Sequence, residues 1–318
     1  MIALMRTAEK RSGHRPGNGF ILIELTVVLA IVGIIGTAIG MTLLRQQRFY
    51  RSANELLYAR AGVRDALEVL ATDIRGMTAA DTVRILADSA IEMFVSIGTS
   101  VVCQRHDAVE VGLPAAVAPR GNTLTSLLTP PDTGDLALFF RDSVENGSQW
   151  ERHRISGFTS TSPGTSCPVD SAFRPPADAP NGKGFVVTLS RPLSDHVGLG
   201  APVRFIRRGR YSLYRASDGE WYLGYRRCNA VGVSACGAIQ PLSGPYRSYS
   251  RDPQLTGLRF EYFDAAGSRI EAGGSPLLLA RVALTARAQS GHQVVTEGHA
   301  RTAADSGTLS IAVRNRAP

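Results

Sequence analysis

The chain has 318 residues, 44% of them hydrophobic and 19% charged, with a formal net charge of +8. That length allows one large or two modest domains, and the ordinary hydrophobicity excludes a multispanning membrane protein. The basic balance permits contact with nucleic acid, anionic lipid or acidic partners and demonstrates none of them.

Residues 1–19 read as a basic leader. Arg6, Lys10, Arg11 and Arg15 stand against Glu9, and the stretch ends in the breaker cluster Pro16-Gly17-Asn18-Gly19. A chain cut after Gly19 would keep +5 of the +8. The basic residues of the whole sequence are almost all Arg, Lys10 and Lys183 being the only lysines.

Residues 20–44 contain a single ionisable residue, Glu24, among Ile, Leu, Val, Ala and Gly with Phe20, Met41 and three threonines. At about 1.5 Å rise per residue, a helix of this length spans the roughly 30 Å hydrocarbon core of a bilayer. Glu24 is costly in such a helix and calls for a partner, yet no Lys or Arg lies inside the span. An ordinary secretory signal is cut after its apolar region; here the small residue, Gly19, precedes it. A cut at that point would retain the helix and leave an α-amine on Phe20. That amine lies four residues from Glu24, on the same helical face.

Gly19-Phe20-Ile21-Leu22-Ile23-Glu24-Leu25 resembles the prepilin peptidase motif of type IV pilins and type II secretion pseudopilins. Position 21 is Ile where the family often has Thr or Ser. The resemblance implies cleavage between Gly19 and Phe20, N-methylation of Phe20, and neutralisation of a neighbouring subunit's amine by Glu24. It implies an α+β, lollipop-like fold, with a long N-terminal helix packed on an antiparallel β-sheet domain. The implied location is the bacterial inner membrane, N-terminus cytoplasmic and globular domain periplasmic, and then a pilus fibre. The implied partners are prepilin peptidase, other minor pilins, the major pilin, the inner-membrane pilus assembly machinery and the lipid bilayer. The basic leader agrees with a cytoplasmic N-terminus, although Arg45, Arg48 and Arg51 beyond the span blur the asymmetry.

Residues 45–77 continue the helix. No proline interrupts them, and Leu56, Val63, Leu67, Leu70 and Ile74 recur at helical spacing among charged residues. The expected end is near Gly76. Residues 78–318 read as one β-rich domain, with expected strands at 91–97, 136–141, 184–190, 203–208, 211–216, 221–227, 258–263, 277–286, 293–297 and 309–314. Ser217-Asp218-Gly219-Glu220 signals a hairpin between 211–216 and 221–227, and Asp264 to Gly267 marks another turn. Residues 112–134 and 157–183, rich in Pro, Gly, Ser and Thr, read as long loops.

The four cysteines are Cys103, Cys167, Cys228 and Cys236. An even count in an exported domain points to disulfides, with three pairings open. Cys228 and Cys236 bracket a short Gly-containing loop and suit a local bridge, which would leave Cys103 with Cys167. The spacing does not suit zinc.

The strand motifs Val203 to Ile206, Tyr211 to Arg215, Leu258 to Phe263, Arg281 to Thr285 and Val313 to Arg316 resemble the C-terminal half of PilW-type minor pilins. J-class pseudopilins share the general scheme. The role this implies is structural: initiation or capping of a type IV pilus. The alternatives are a type II secretion pseudopilin and a membrane-anchored DNA-binding component.

No enzyme signature stands out. Gly-x-Ser-x-Gly, phosphate-loop and His-Glu-x-x-His motifs are absent, and no cofactor or metal is called for. Ser194-Asp195-His196 has triad residue types, but its adjacency reads as a solvated turn. His106-Asp107 reads as a polar loop. Asp132 and Asp135 are the one acidic pair to weigh for calcium, with turn formation the plainer reading. Arg204, Arg207, Arg208, Arg210 and Arg215, interleaved with aromatics, could hold a nucleic acid. The same alternation describes a half-buried strand.

Overall fold

The computed structural model describes residues 22–77, 85–115, 124–142, 147–167, 173, 182–228, 236–271, 274–296 and 299–313. Helix α1 runs Leu22–Gly76, 55 residues. The chain divides into two compact units, Met1–Ala53 and Asn54–Pro318.

In the first unit, the apolar part of α1 has a mean hydropathy of 2.5 over its best 18-residue window, and none of that window is buried. Its threonines add no unsatisfied donors. The hydroxyls of Thr26, Thr37 and Thr42 donate to the carbonyls of Ile23, Gly33 and Ala38 at 2.7–2.9 Å.

In the second unit α1 becomes amphipathic. Ala59, Gly62, Val63, Ala66, Leu70, Ala71 and Ile74 form its buried stripe. Leu67 packs partly against the same core. The small residues in the stripe let the helix approach the strands closely. The opposing surface reciprocates at Gly307, where a Cβ would lie 2.9 Å from both Val63 and Leu67 side-chain carbons. Arg75 in the last turn complements the helix dipole.

Fourteen strands are found among the described residues. They are β1 (Ile85–Leu86), β2 (Ala90–Val101), β3 (Gln104–Arg105), β4 (Glu110–Leu113), β5 (Ser126–Leu127), β6 (Leu136–Arg141) and β7 (Gln149–Thr161). After a short helix α2 (Pro163–Ser166) come β8 (Gly184–Leu189), β9 (Pro202–Arg215), β10 (Trp221–Arg227), β11 (Gln240–Tyr246), β12 (Leu258–Phe263), β13 (Arg281–Thr296) and β14 (His299–Ala312). All the pairings among them are antiparallel.

Strand β9 is the spine. One flank pairs with β2 from Pro202 to Ser212. The other pairs first with β6, from Val203 to Ile206, and then with β10, from Gly209 to Arg215. Beyond β6 the sheet continues through β7 and β8 to β4 and β3. Beyond β10 it continues through β11 to β13, which carries β12 and β14. The α1 stripe and one face of this sheet share a core in which Phe139, Phe205, Tyr246 and Phe260 are the largest fully buried side chains. Each such side chain contributes about 1.5–3 kcal/mol of burial.

The α+β class is therefore the observed one. Several boundaries differ from expectation. The segments 203–208 and 211–216 are one strand, because Gly209 and Arg210 keep extended pairing with β2 and β10. The stretch 112–134 contains the end of β4 and all of β5. The stretch 157–183 contains the end of β7 and all of α2. The expected strand 277–286 starts late, because Pro276–Leu278 is a turn of 3-10 helix. The Asp-Gly hairpin between β9 and β10 forms as expected, with Gly219 at φ +89 and Ala216 N–H donating to Glu220 O at 2.9 Å.

Candidate functional site

Glu24 lies in the first turn of α1 and is exposed. Gly19 and Phe20 lie outside the described residues. Around Glu24, Leu22, Ile23, Leu25, Val27 and Val28 are about half exposed or more, 49–79%. An apolar surface of this extent marks a membrane or protein interface. Farther along, Ala30, Gly33, Thr37 and Ala38 open a shallow groove between Leu29, Ile34 and Met41. Small residues spaced in this way let another helix backbone approach closely.

The second half of α1 is fixed to the strands by two polar contacts within the core. Tyr246 donates to the carbonyl of Gly62 at 2.6 Å and shares a 2.6 Å hydrogen bond with Ser243. Burial pushes its phenol up to about 12. Tyr211 donates to the Asp73 carboxylate. Burial raises the Asp73 carboxyl above the usual carboxylate value, and the Tyr211 hydroxyl only partly offsets this. Burial, and then the Asp73 charge, push the Tyr211 phenol far upward.

A carboxyl with a raised folded-state value stabilises below its unfolded value, and that stability is lost as pH rises through the folded value. Asp73→Asn is therefore expected to melt at or above the wild-type temperature at pH 7. The difference should shrink to nothing only as pH falls well below the usual Asp value of about 3.9, where Asp73 is protonated in both states. Asp132 and Asp218 behave oppositely. The Arg227 hydrogen bond holds Asp132 low, the Glu220 N–H holds Asp218 low, and their contribution is lost only below the usual carboxylate range. Thermal melts across that window check the assignment. A variant less stable than wild type at pH 7 would contradict it.

The five expected patch arginines do not form one surface. Side chains alternate along β9, so Arg207 and Arg215 point to the opposite face from Arg204, Arg208 and Arg210. Arg207 bonds both Asp135 oxygens, at 2.7–3.1 Å. Arg227 bonds Asp132 at 2.7 Å and Asp135 at 3.1 Å. These groups close the gap on the β9 flank where β6 ends and β10 begins. Asp132 and Asp135, weighed for calcium, are thus arginine acceptors. Arg215 donates to Gly219 O within the hairpin turn.

On the other face Glu92 is fully buried, with one oxygen on Arg208 and the other on Arg210, the latter at 2.7–2.8 Å. Cys228 and Cys236 lie close by. Their sulfurs are joined to each other and offer no metal ligand.

Cys103–Cys167 and Cys228–Cys236 are the two disulfides, with Cα separations of 5.4 and 3.9 Å. Ser194-Asp195-His196 forms a local turn, in which Ser194 Oγ accepts from the His196 N–H at 3.3 Å and the exposed Asp195 meets Arg105 at 3.5 Å. Asp107 accepts from the N–H groups of Val109 and Glu110, both at 2.7 Å, shaping the entry to β4 beside His106. Sequence reasoning missed one pair. Buried His153 meets Glu151 at 2.6 Å, and His153 Nδ1 and Glu151 Oε2 have no partner among the described residues. Spacing i, i+2 on a strand was the available signal, but β7 itself went unrecognised.

No protein-family model, curated protein or solved structure matches the chain.

Proposed function

We propose that this chain is a structural subunit of a type IV filament, a minor pilin resembling the PilW type, which joins other minor pilins to start or cap the fibre. The observation that carries this reading is the motif Gly19-Phe20-Ile21-Leu22-Ile23-Glu24 running directly into an uncovered apolar helix. The helix stores the subunit in the inner membrane and later packs among other helices. Glu24 is costly in lipid when ionised, and a neighbour's N-terminal amine relieves that cost, which biases insertion and register. The β domain presents surfaces to the few partners at the fibre's end.

Mass spectrometry of sheared surface fibres tests the proposal. The expected result is this chain, starting at N-methylated Phe20. The processed chain found solely in the inner membrane would favour a secretion pseudopilin, and a chain retaining residues 1–19 would overturn the reading. Glu24→Ala should be cleaved normally and lost from fibres, since its span is more apolar but lacks the counter-charge. Normal piliation in that strain would remove the role given to Glu24.

A further inference from the structure

The face of β2, β6, β7, β9 and β10 that points away from the α1 core carries an unusual set of side chains. Register places Trp150, Arg152 and Arg154 of β7 beside Phe140, Leu138 and Leu136 of β6. Leu136 and Leu138 pair with Ile206 and Arg204 of β9. Phe94 and Glu92 of β2 lie opposite Arg208 and Arg210, and Arg226 of β10 pairs with Arg210. Phe94, Leu136, Leu138 and Ile206 form a small buried cluster. Arginines lie across aromatic rings on this face: Arg152 is 5.9 Å from the Phe94 centroid, and Arg204 is 5.9 Å from that of Trp150.

Six arginines point to this face from these five strands, and Glu92 is the only carboxylate among their residues that does so. Glu92 is already held between Arg208 and Arg210. The face therefore carries a net positive charge even with that carboxylate counted. Arg152 and Arg154 are exposed, Arg204, Arg210 and Arg226 are half-buried, and Trp150 is 42% exposed. Asp218 and Glu220 lie at the turn beyond Tyr214 and Tyr222, and Asp142 lies beyond Phe140, so the positive field is bounded at both ends.

We infer that this face binds single-stranded nucleic acid, its arginines holding phosphates and Trp150 stacking on a base. The composition selects this ligand among polyanions. A lipid headgroup or a sulfated polymer would satisfy the arginines but offer no base to stack on the exposed part of the Trp150 ring. A duplex keeps its base faces stacked inside. A strand surface whose arginines flank a part-exposed indole, with Phe140 at 5.4 Å and Arg204 at 5.9 Å from its ring, fits an unpaired base on the exposed part of the ring and its neighbouring phosphates. The inference stands apart from the filament reading, which concerns α1.

The test uses the full chain in non-ionic micelles and a labelled oligothymidylate of about 20 nucleotides, followed by anisotropy. Binding should weaken steeply with salt. Arg152→Gln/Arg204→Gln should weaken it about tenfold or more and lower the salt slope by about 1.4, as expected for two lost phosphate contacts. Trp150→Leu should weaken it without changing that slope. Arg64→Gln/Arg75→Gln removes the same charge from the exposed side of α1 and should leave binding unchanged. A melt of each variant, with both disulfides intact, separates lost contacts from lost folding. Failure of the folded wild-type chain to bind would overturn the inference, as would equal losses in both double variants. Tighter binding of a duplex, or of anionic vesicles with no effect of Trp150→Leu, would reassign the face to that ligand.

Discussion

Glu92→Ala is expected to destabilise the β unit by about 3–5 kcal/mol. Glu92 is fully buried, and Arg208, 3% exposed, meets one of its oxygens while Arg210 holds the other. Truncation leaves the Arg208 guanidinium in the interior without this carboxylate, and the desolvation of that charge is no longer offset. A loss of this size is a large share of the 5–15 kcal/mol that holds a typical domain together. Glu92→Gln keeps the volume and one acceptor and should fall between the two. Glu92→Leu/Arg208→Met removes both charges and should recover most of the loss, because a buried ion pair rarely outperforms a well-packed apolar pair. Denaturant unfolding followed by the fluorescence of Trp150 and Trp221 measures all three. A Glu92→Ala protein within about 1 kcal/mol of wild type would mean that the pair is solvated and that Arg208 is not held in place by it.

The parts of this molecule that were legible in the sequence are those where one residue pattern serves one purpose. The helix from Leu22 to Gly76 could be read because its first half is apolar on every side and its second half keeps the spacing of Val63, Leu70 and Ile74. The β9–β10 hairpin was legible through Asp218-Gly219, where a positive φ is needed. Strand β7 was not legible. Along Trp150 to Ser156 only His153 and Ile155 are buried, and a histidine gives no hydrophobic signal. Missing β7 also hid Arg152 and Arg154, two of the six arginines of the basic face, and Trp150 beside them. The opposite error affected Arg207. Clustering in sequence placed it with Arg208, but adjacent residues of a strand face opposite ways, and its carboxylate partner Asp135 is contributed by the approach to β6. Ion pairs between residues this far apart in sequence leave no local trace.

Gly19→Arg is expected to abolish processing, so that the chain accumulates with residues 1–19 attached. The scissile bond of the proposed motif joins a residue without a side chain to Phe20, the start of the apolar run in the sequence. An arginine at position 19 puts a long charged side chain next to the proposed scissile bond in place of a residue with none. Gly19→Ala should be processed slowly rather than not at all, since only a methyl group is added. Intact-mass measurement of membrane fractions reads both variants, and a Gly19→Arg chain that still begins at Phe20 would move the scissile bond elsewhere. The consequence for assembly follows from Glu24. Without cleavage Phe20 has no free α-amine, so under this proposal the carboxylate of a neighbouring subunit has nothing to neutralise. Gly19→Arg and Glu24→Ala should then produce the same absence from sheared fibres with different N-termini. Combining them should add no further defect, because either change alone already keeps the chain out of fibres.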